Sequence, residues 1–287
     1  MHALSASASA PAALTLSWFG TTAVLLRAGD DALMVDPFFT RPPGLWPLLR
    51  NDHIAPDEAL IRKWLRKENV TRLHAVLVSH SHYDHALDAG VVARLTGAVL
   101  AGSASTANIG RGAGLDDRRI VVAAADQALR FGPFTVRFIE SRHAGATGGA
   151  PTGEIAAPLT PPAHYLDYRQ GGTWSILVEH ADGSVLHHGS AGFMPGALQG
   201  RHADVVVLGA ALVDDAESYL QQTVDAVGAR TVVLTHWDDF TRPLDAPLKP
   251  MPVVVDLAPL LAALDRRAGL RVITPALARP IAVSGAR

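Results

Sequence analysis

Short apolar runs separated by Gly, Asp and Pro punctuate this chain, and they predict strands more often than helices. Leu14–Phe19 and Thr22–Leu26 lead through Ala28-Gly29-Asp30-Asp31 to Ala32–Val35, a strand followed by a hairpin with a Gly/Asp turn. Asp36-Pro37 ends that ladder. Thr40–Pro56 carries four prolines and one Gly, so it reads as a loop with Trp46 near its middle. In Pro56–Lys67 the apolar Leu60, Ile61, Trp64 and Leu65 recur at helical spacing, with Asp57 and Glu58 in the first turn. Leu73–Ser79 is an apolar, β-branched run of the buried-strand type. The polar stretch His80–His85 follows it and leads into a helical Ala86–Leu95.

Ala98–Ala101 is another short strand, and Thr106–Gly110 opens a helix or turn. Ile120–Ala124, Ala128–Phe131 and Phe134–Ile139 read as strands, the last two joined through Gly132-Pro133. Ala144–Gly172 is rich in Gly and Pro and too long for an ordinary connection, which points to a lid or wall. Trp174–Glu179 and Ser184–His188 form a second hairpin. Then come strand Asp204–Leu208, helix Ala216–Val227, strand Thr231–Leu234, the Pro-rich loop Thr241–Pro252, helix Leu257–Arg267 and strand Arg271–Thr274. No repeat and no interdomain linker stands out. The pattern fits two sheets face to face with helices outside, in a single domain over residues 14–287.

Composition narrows the function classes. Among 287 residues, 48% are apolar and 18% charged, which excludes a disordered chain. Against 27 Asp+Glu stand 25 Lys+Arg, a net charge of −2 and too neutral for a nucleic-acid partner. No apolar run reaches the ~18 residues of a transmembrane segment. A small-molecule substrate is the expected partner, and the oligomeric state is left open. Zero cysteines remove thiolate metal sites and Cys nucleophiles, so any transition-metal site must use His and carboxylates. Residues 1–13 are Ser/Ala-rich and lack the apolar segment of a signal peptide. They read as a flexible tail, either of a cytoplasmic protein or of a periplasmic or secreted chain whose leader was removed.

The main chemical signal is Ser79-His80-Ser81-His82-Tyr83-Asp84-His85, with four potential ligands directly after a buried strand. Residues two apart on extended backbone project to one side, so His80 and His82 can reach one metal. Asp84 and His85, where the chain turns into a helix, can face the other side of the pocket, and a pair of adjacent metals uses both.

This H-S-H-Y-D-H stretch resembles the H-x-H-x-D-H signature of the metallo-β-lactamase superfamily, and in order and spacing the likeness runs from Leu14 to the C-terminus. Asp36, after the first hairpin, looks like the family's early Asp that supports the site from below. His143 and His236 occupy the places of its third and last metal-binding histidines. The resemblance implies an α/β (α+β) fold, the αββα four-layer sandwich of two mixed sheets flanked by helices. It also implies one metal at His80, His82 and His143 and another at Asp84, His85 and His236. One position departs: Ser190, in His188-Gly189-Ser190-Ala191-Gly192, stands where many hydrolytic members carry a bridging Asp. A hydroxyl bridges poorly, so the second cation loses an anionic contact, although one subclass of true β-lactamases also has Ser there.

Imidazole-rich ligation suits zinc, one or two ions, with iron and manganese also compatible. The expected chemistry is hydrolysis of a small ester, lactone, amide or phosphodiester by a metal-bound hydroxide, with catalytic Asp84 orienting it and shuttling its proton. Ser190 and His188 are candidates to bind water or support the ligands. Trp46, His164, Tyr165 and Tyr168 are candidate substrate contacts on the two loops. Tyr83 within the motif is shared with relatives such as N-acylphosphatidylethanolamine phospholipase D and the bacterial lactonase of ascorbate use. Two alternatives stay open: a mononuclear iron oxidoreductase of the sulfur-dioxygenase type, and a non-catalytic metal-binding member of the fold.

Overall fold

The computed structural model of the protein describes residues 13–42, 44, 46–145, 150–251 and 255–285. The expected tail, except for Ala13, lies outside these residues, as does the short stretch 146–149 of the expected lid.

Two seven-stranded mixed sheets form the centre. The first has the spatial order Ile281–Ala282, Thr15–Trp18, Val24–Ala28, Asp31–Val35, Ala75–Leu77, Val99–Gly102, Ile120–Val122. Its early strands are antiparallel, and pairing turns parallel from Asp31–Val35 onward, with Val35 opposite Leu77. The second runs Arg271–Ile273, Thr231–Thr235, Val205–Gly209, Gly183–His188, Trp174–His180, Phe134–Glu140, Ala128–Phe131. There the first four strands are parallel and the rest antiparallel.

Side-chain alternation explains the layers. Leu16, Trp18, Leu26, Leu33, Val35 and Leu77 point inward and pack on Phe134, Val136, Phe138, Val178, Val185, Val205 and Val207 of the other sheet. The alternate residues Leu25, Met34 and Val76 meet Ile61, Trp64 and Leu65 of the helix Glu58–Lys67, together with Val92 and Ile109. On the far side Leu186, Val206, Leu208, Val232 and Leu234 meet Tyr219, Leu220, Leu260 and Leu264. Both faces of each sheet are therefore covered, which is why the strands read as continuous apolar runs. The result is the expected four-layer α/β sandwich.

Several helices begin where a side chain satisfies a free N–H group. Asp57 accepts from Leu60 N–H, and Asp256 caps Leu257–Asp265 in the same way. The stretch after His80 differs from the reading as a loop entering one helix. Tyr83–Ala86 is already a helical turn and Ala89–Thr96 a second helix, so Asp84 and His85 sit on helical backbone. The expected helix Ala216–Val227 is α-helical over Ala216–Leu220 and widens to a π turn over Gln221–Asp225, where the Thr223 hydroxyl donates to the Tyr219 carbonyl. The Pro-rich loop contains a short helix, Trp46–Leu49, and a two-residue strand, His53–Ile54, paired with Ala163–His164. That pairing is nonlocal, and no local periodicity announces it.

Candidate metal centre

Parallel strands of both sheets end on one edge, and the loops leaving those ends build the site, as is general for ligand sites in open α/β sheets. His80 and His82 follow Ala75–Leu77, His143 follows Phe134–Glu140, and His236 follows Thr231–Thr235. His236 has φ 56°, a left-handed backbone held by its N–H bond of 2.7 Å to the Thr21 carbonyl. Gly192 is needed at close quarters: a Cβ there would lie 2.2 Å from the His143 carbonyl oxygen.

Two sets of donors come together, His80/His82/His143 and Asp84/His85/His236, each with its ligand atoms within 4.8 Å of one another. In the second set His236 Nε2 stands 3.3 Å from His85 Nε2 and 3.3 Å from Asp84 Oδ2, which is 3.5 Å from His85 Nε2. Donors held tetrahedrally about 2.0–2.2 Å from one cation stand roughly 3.3–3.6 Å apart, so this triangle has the right size for one ion. The sets adjoin, with the His80 and His85 rings 3.8 Å apart.

Hydrogen bonds decide which nitrogen each imidazole presents. His82 Nε2 donates to the Pro151 carbonyl at 3.0 Å, leaving Nδ1 as the free donor. His143 Nδ1 donates to the Ala144 carbonyl at 3.2 Å, and His85 Nδ1 is 2.8 Å from Asp36 Oδ2, so both present Nε2. His80 Nε2 is buried with no hydrogen-bond partner among the described residues. An orphaned imidazole nitrogen beside five other ligand-type groups fits a cation and fits little else.

Electrostatics point the same way. Burial, with the neighbouring imidazoles adding, pushes His80 well below the ordinary imidazole pKa and His143 down to about 4, which keeps their lone pairs free. Burial works against the charged form of Asp84, but His85 and His236 outweigh it and hold this carboxylate ionised.

Beneath the donors lies Asp36, fully buried, with φ 46°. Its oxygens accept from Ser79 N–H at 2.7 Å, the Ser79 hydroxyl at 2.6 Å and the Thr22 hydroxyl at 2.9 Å, besides His85. His187 lies 3.8 Å from the same carboxylate and donates to the Thr22 carbonyl. Sequence reasoning anticipated Asp36 but not Ser79 or Thr22, although Ser79 adjoins the motif. Asp238, two residues after His236, is buried. It accepts from Thr21 N–H at 2.8 Å and pairs with Arg41 at 2.7 Å, tying the early loop to the turn of His236.

The remaining candidates divide. Ser190 Oγ accepts from Ala144 N–H at 2.8 Å, so it braces the residue after His143. His188 uses both nitrogens away from the donors: its Nδ1 accepts from the Ser175 hydroxyl at 2.7 Å and its Nε2 donates to the Gly192 carbonyl at 2.9 Å. Neither nitrogen is left for a water. Tyr165 packs edge-on against Tyr83, with ring centroids 4.9 Å apart. Tyr168 is buried, His164 is exposed against His53 with centroids 3.8 Å apart, and Trp46 is exposed on its short helix. Phe240, which the sequence did not single out, lies against His236 with centroids 5.5 Å apart. A cavity of about 820 Å³ lined by His180, Asp182 and Arg201 lies at the opposite ends of the strands, away from this cluster.

A four-layer sandwich with two adjoining His/Asp donor sets on one edge defines a metal-binding protein of the α/β class. The chain belongs to the metallo-beta-lactamase superfamily, whose sequence model matches residues 16–236. Over 174 residues it is 26% identical to a UPF0173 metal-dependent hydrolase of Myxococcus xanthus, covering 58% of this chain and 54% of that one, so the match spans about half the relative's length. Among solved structures it resembles Igni18, a metallo hydrolase of the archaeon Ignicoccus hospitalis (14% identity, TM-score 0.57, 93% of this chain and 97% of that one). It also resembles an isothiocyanate hydrolase from Delia radicum gut bacteria (14% identity, TM-score 0.57, 94% and 99%). Likeness at that identity speaks for the fold alone. Among the described residues no helix is long and apolar enough to cross a membrane.

Proposed function

We propose that the protein is a metal-dependent hydrolase that holds one or two zinc ions and cleaves a small ester, lactone, amide or phosphodiester. The observation that carries this reading is the pair of adjoining three-donor sets, His80/His82/His143 and Asp84/His85/His236, with their nitrogens aimed inward by partners behind them. A bound cation supplies Lewis acidity and lowers the pKa of a coordinated water from 15.7 to about 7.

The chain's own groups do the rest. Asp84 remains ionised, so its carboxylate orients the attacking water and holds the proton that passes to the leaving group. Asp36 fixes the His85 ring, the Pro151 carbonyl fixes His82, and Ser190 fixes the turn after His143. The segment containing Pro151 also closes over the site: Gln170 N–H donates to the Pro151 carbonyl, and Ser81 N–H donates to the Gln170 carbonyl.

The test combines metal analysis of chelator-stripped, zinc-reloaded protein with hydrolysis of a panel of esters, lactones, amides and phosphodiesters. Zinc-dependent turnover that falls at least about a hundredfold in Asp84→Asn supports the reading. Iron at one equivalent with oxygen consumption would replace it with the dioxygenase alternative. Full metal loading without turnover of any substrate would leave a binding protein.

A further inference from the structure

We infer that the mouth of the metal centre takes an acyl compound, an ester or amide with an aliphatic or aryl arm, against a wall made by Phe240 and Tyr165. The inference rests on the hydrolase reading and names its substrate class. Phe240 is half-buried, lies against the ring of His236 and packs edge-on with Tyr83 at 6.3 Å between centroids. Tyr83 joins it to Tyr165, also half-buried, at 4.9 Å. A donor of the metal centre therefore continues directly into aromatic surface.

The surface continues outward. Gly44 N–H bonds to the carbonyl of Thr241, next to Phe240, and Tyr165 N–H bonds to the carbonyl of Asp52. Leu166 N–H bonds to the Asn51 side chain. The short helix Trp46–Leu49 is thus framed by the two loops that carry the wall. On it Trp46 is 70% and Leu49 73% exposed, and Leu166 beside Tyr165 is 40% exposed. Leu48 of the same helix packs inward, so the exposure of its neighbours is not a sign of a detached segment. Large apolar side chains left open beside an aromatic wall that starts at a metal-site histidine suit the arm of a substrate whose scissile carbonyl lies over the donors.

Acyl hydroxamic acids test this without turnover, because the hydroxamate head binds the cation and the chain probes the wall. Full burial of each methylene tightens binding about fourfold, so partial burial of four should favour hexanohydroxamic over acetohydroxamic acid about tenfold or more in the zinc-loaded protein. That ratio should fall about fivefold in Phe240→Ala and in Trp46→Ala, and recover in part in Phe240→Leu, as expected of lost contact area. Equal affinity for the two acids, or an unchanged ratio in both alanine variants, would overturn the inference while leaving the hydrolase reading standing. If neither acid binds the zinc-loaded protein, no open cation is present and both readings fall. If Trp46→Ala abolishes sedimentation with phosphatidylcholine vesicles and both alanine variants leave the ratio untouched, the outer surface docks lipid and the inference is wrong.

Discussion

The Asp36 carboxylate stands 2.8 Å from Nδ1 of His85, and this contact turns Nε2 of that ring toward Asp84 and His236. The two residues lie 49 apart in sequence, Asp36 directly after the strand Asp31–Val35 and His85 on the helical turn Tyr83–Ala86. Burial opposes the charge on Asp36, but His85, His187 and the Ser79 hydroxyl hold its pKa below the usual carboxylate range. Asp36→Ala would strip the acceptor from Ser79 N–H, two hydroxyls and one imidazole at once. The expected cost is about 3–5 kcal/mol in denaturant unfolding and roughly 10–100-fold in zinc affinity by competition with a chelator. An affinity unchanged in Asp36→Asn would show that the carboxylate's charge is unimportant to the site.

Arg41 and Asp238 form a buried ion pair, 1% and 0% exposed. Breaking such a pair from one side leaves an uncompensated charge, so Asp238→Ala should cost about 3–5 kcal/mol of stability. Because Asp238 also holds Thr21 N–H, whose carbonyl holds His236 N–H, the same variant should weaken cation binding at the Asp84/His85/His236 set. Calorimetric titration with zinc should then lose or weaken one equivalent and retain the other.

Ser190 accepts from Ala144 N–H. Ser190→Ala removes that bond, at an expected cost of about 1 kcal/mol, and should loosen the His80/His82/His143 set more than the other. Cobalt substitution reads this through the d–d spectrum of each equivalent added. Loss of the second equivalent first would mean that the hydroxyl serves the other set.

His188 sets a limit on acid stability. Burial first, and the nearby His187 with it, lower its pKa from 6.5 to about 4, against the bond to the Gly192 carbonyl, which raises it. A histidine depressed in the folded state stabilises above its unfolded pKa and loses that stability as pH falls through the folded value. Between pH 6.5 and 4 the protein should therefore lose up to about 3 kcal/mol more than His188→Gln does. Parallel slopes for the two proteins in urea unfolding across this range would refute the assignment.

Much of this molecule was legible in its order of residues. Runs such as Leu73–Ser79 and Thr231–Leu234 marked buried strands because both sheet faces are covered, and the spacing of His80–His85 marked a candidate metal site. Local bonding fixes such features, so a short window contains them. Contacts between distant segments were not legible. The pairing of His53–Ile54 with Ala163–His164, the Arg41–Asp238 pair and the place of Phe240 beside His236 depend on how loops from separate strand ends meet. His188 and Tyr168 looked like candidates by position, yet the fold turned the first onto Ser175 and Gly192 and buried the second. The chain by itself determined which donors exist and which strands carry them. Only the packing of two sheets with their parallel ends on one edge decided which donors converge, because side-chain direction at a loop is set by nonlocal contacts rather than by the residues beside it.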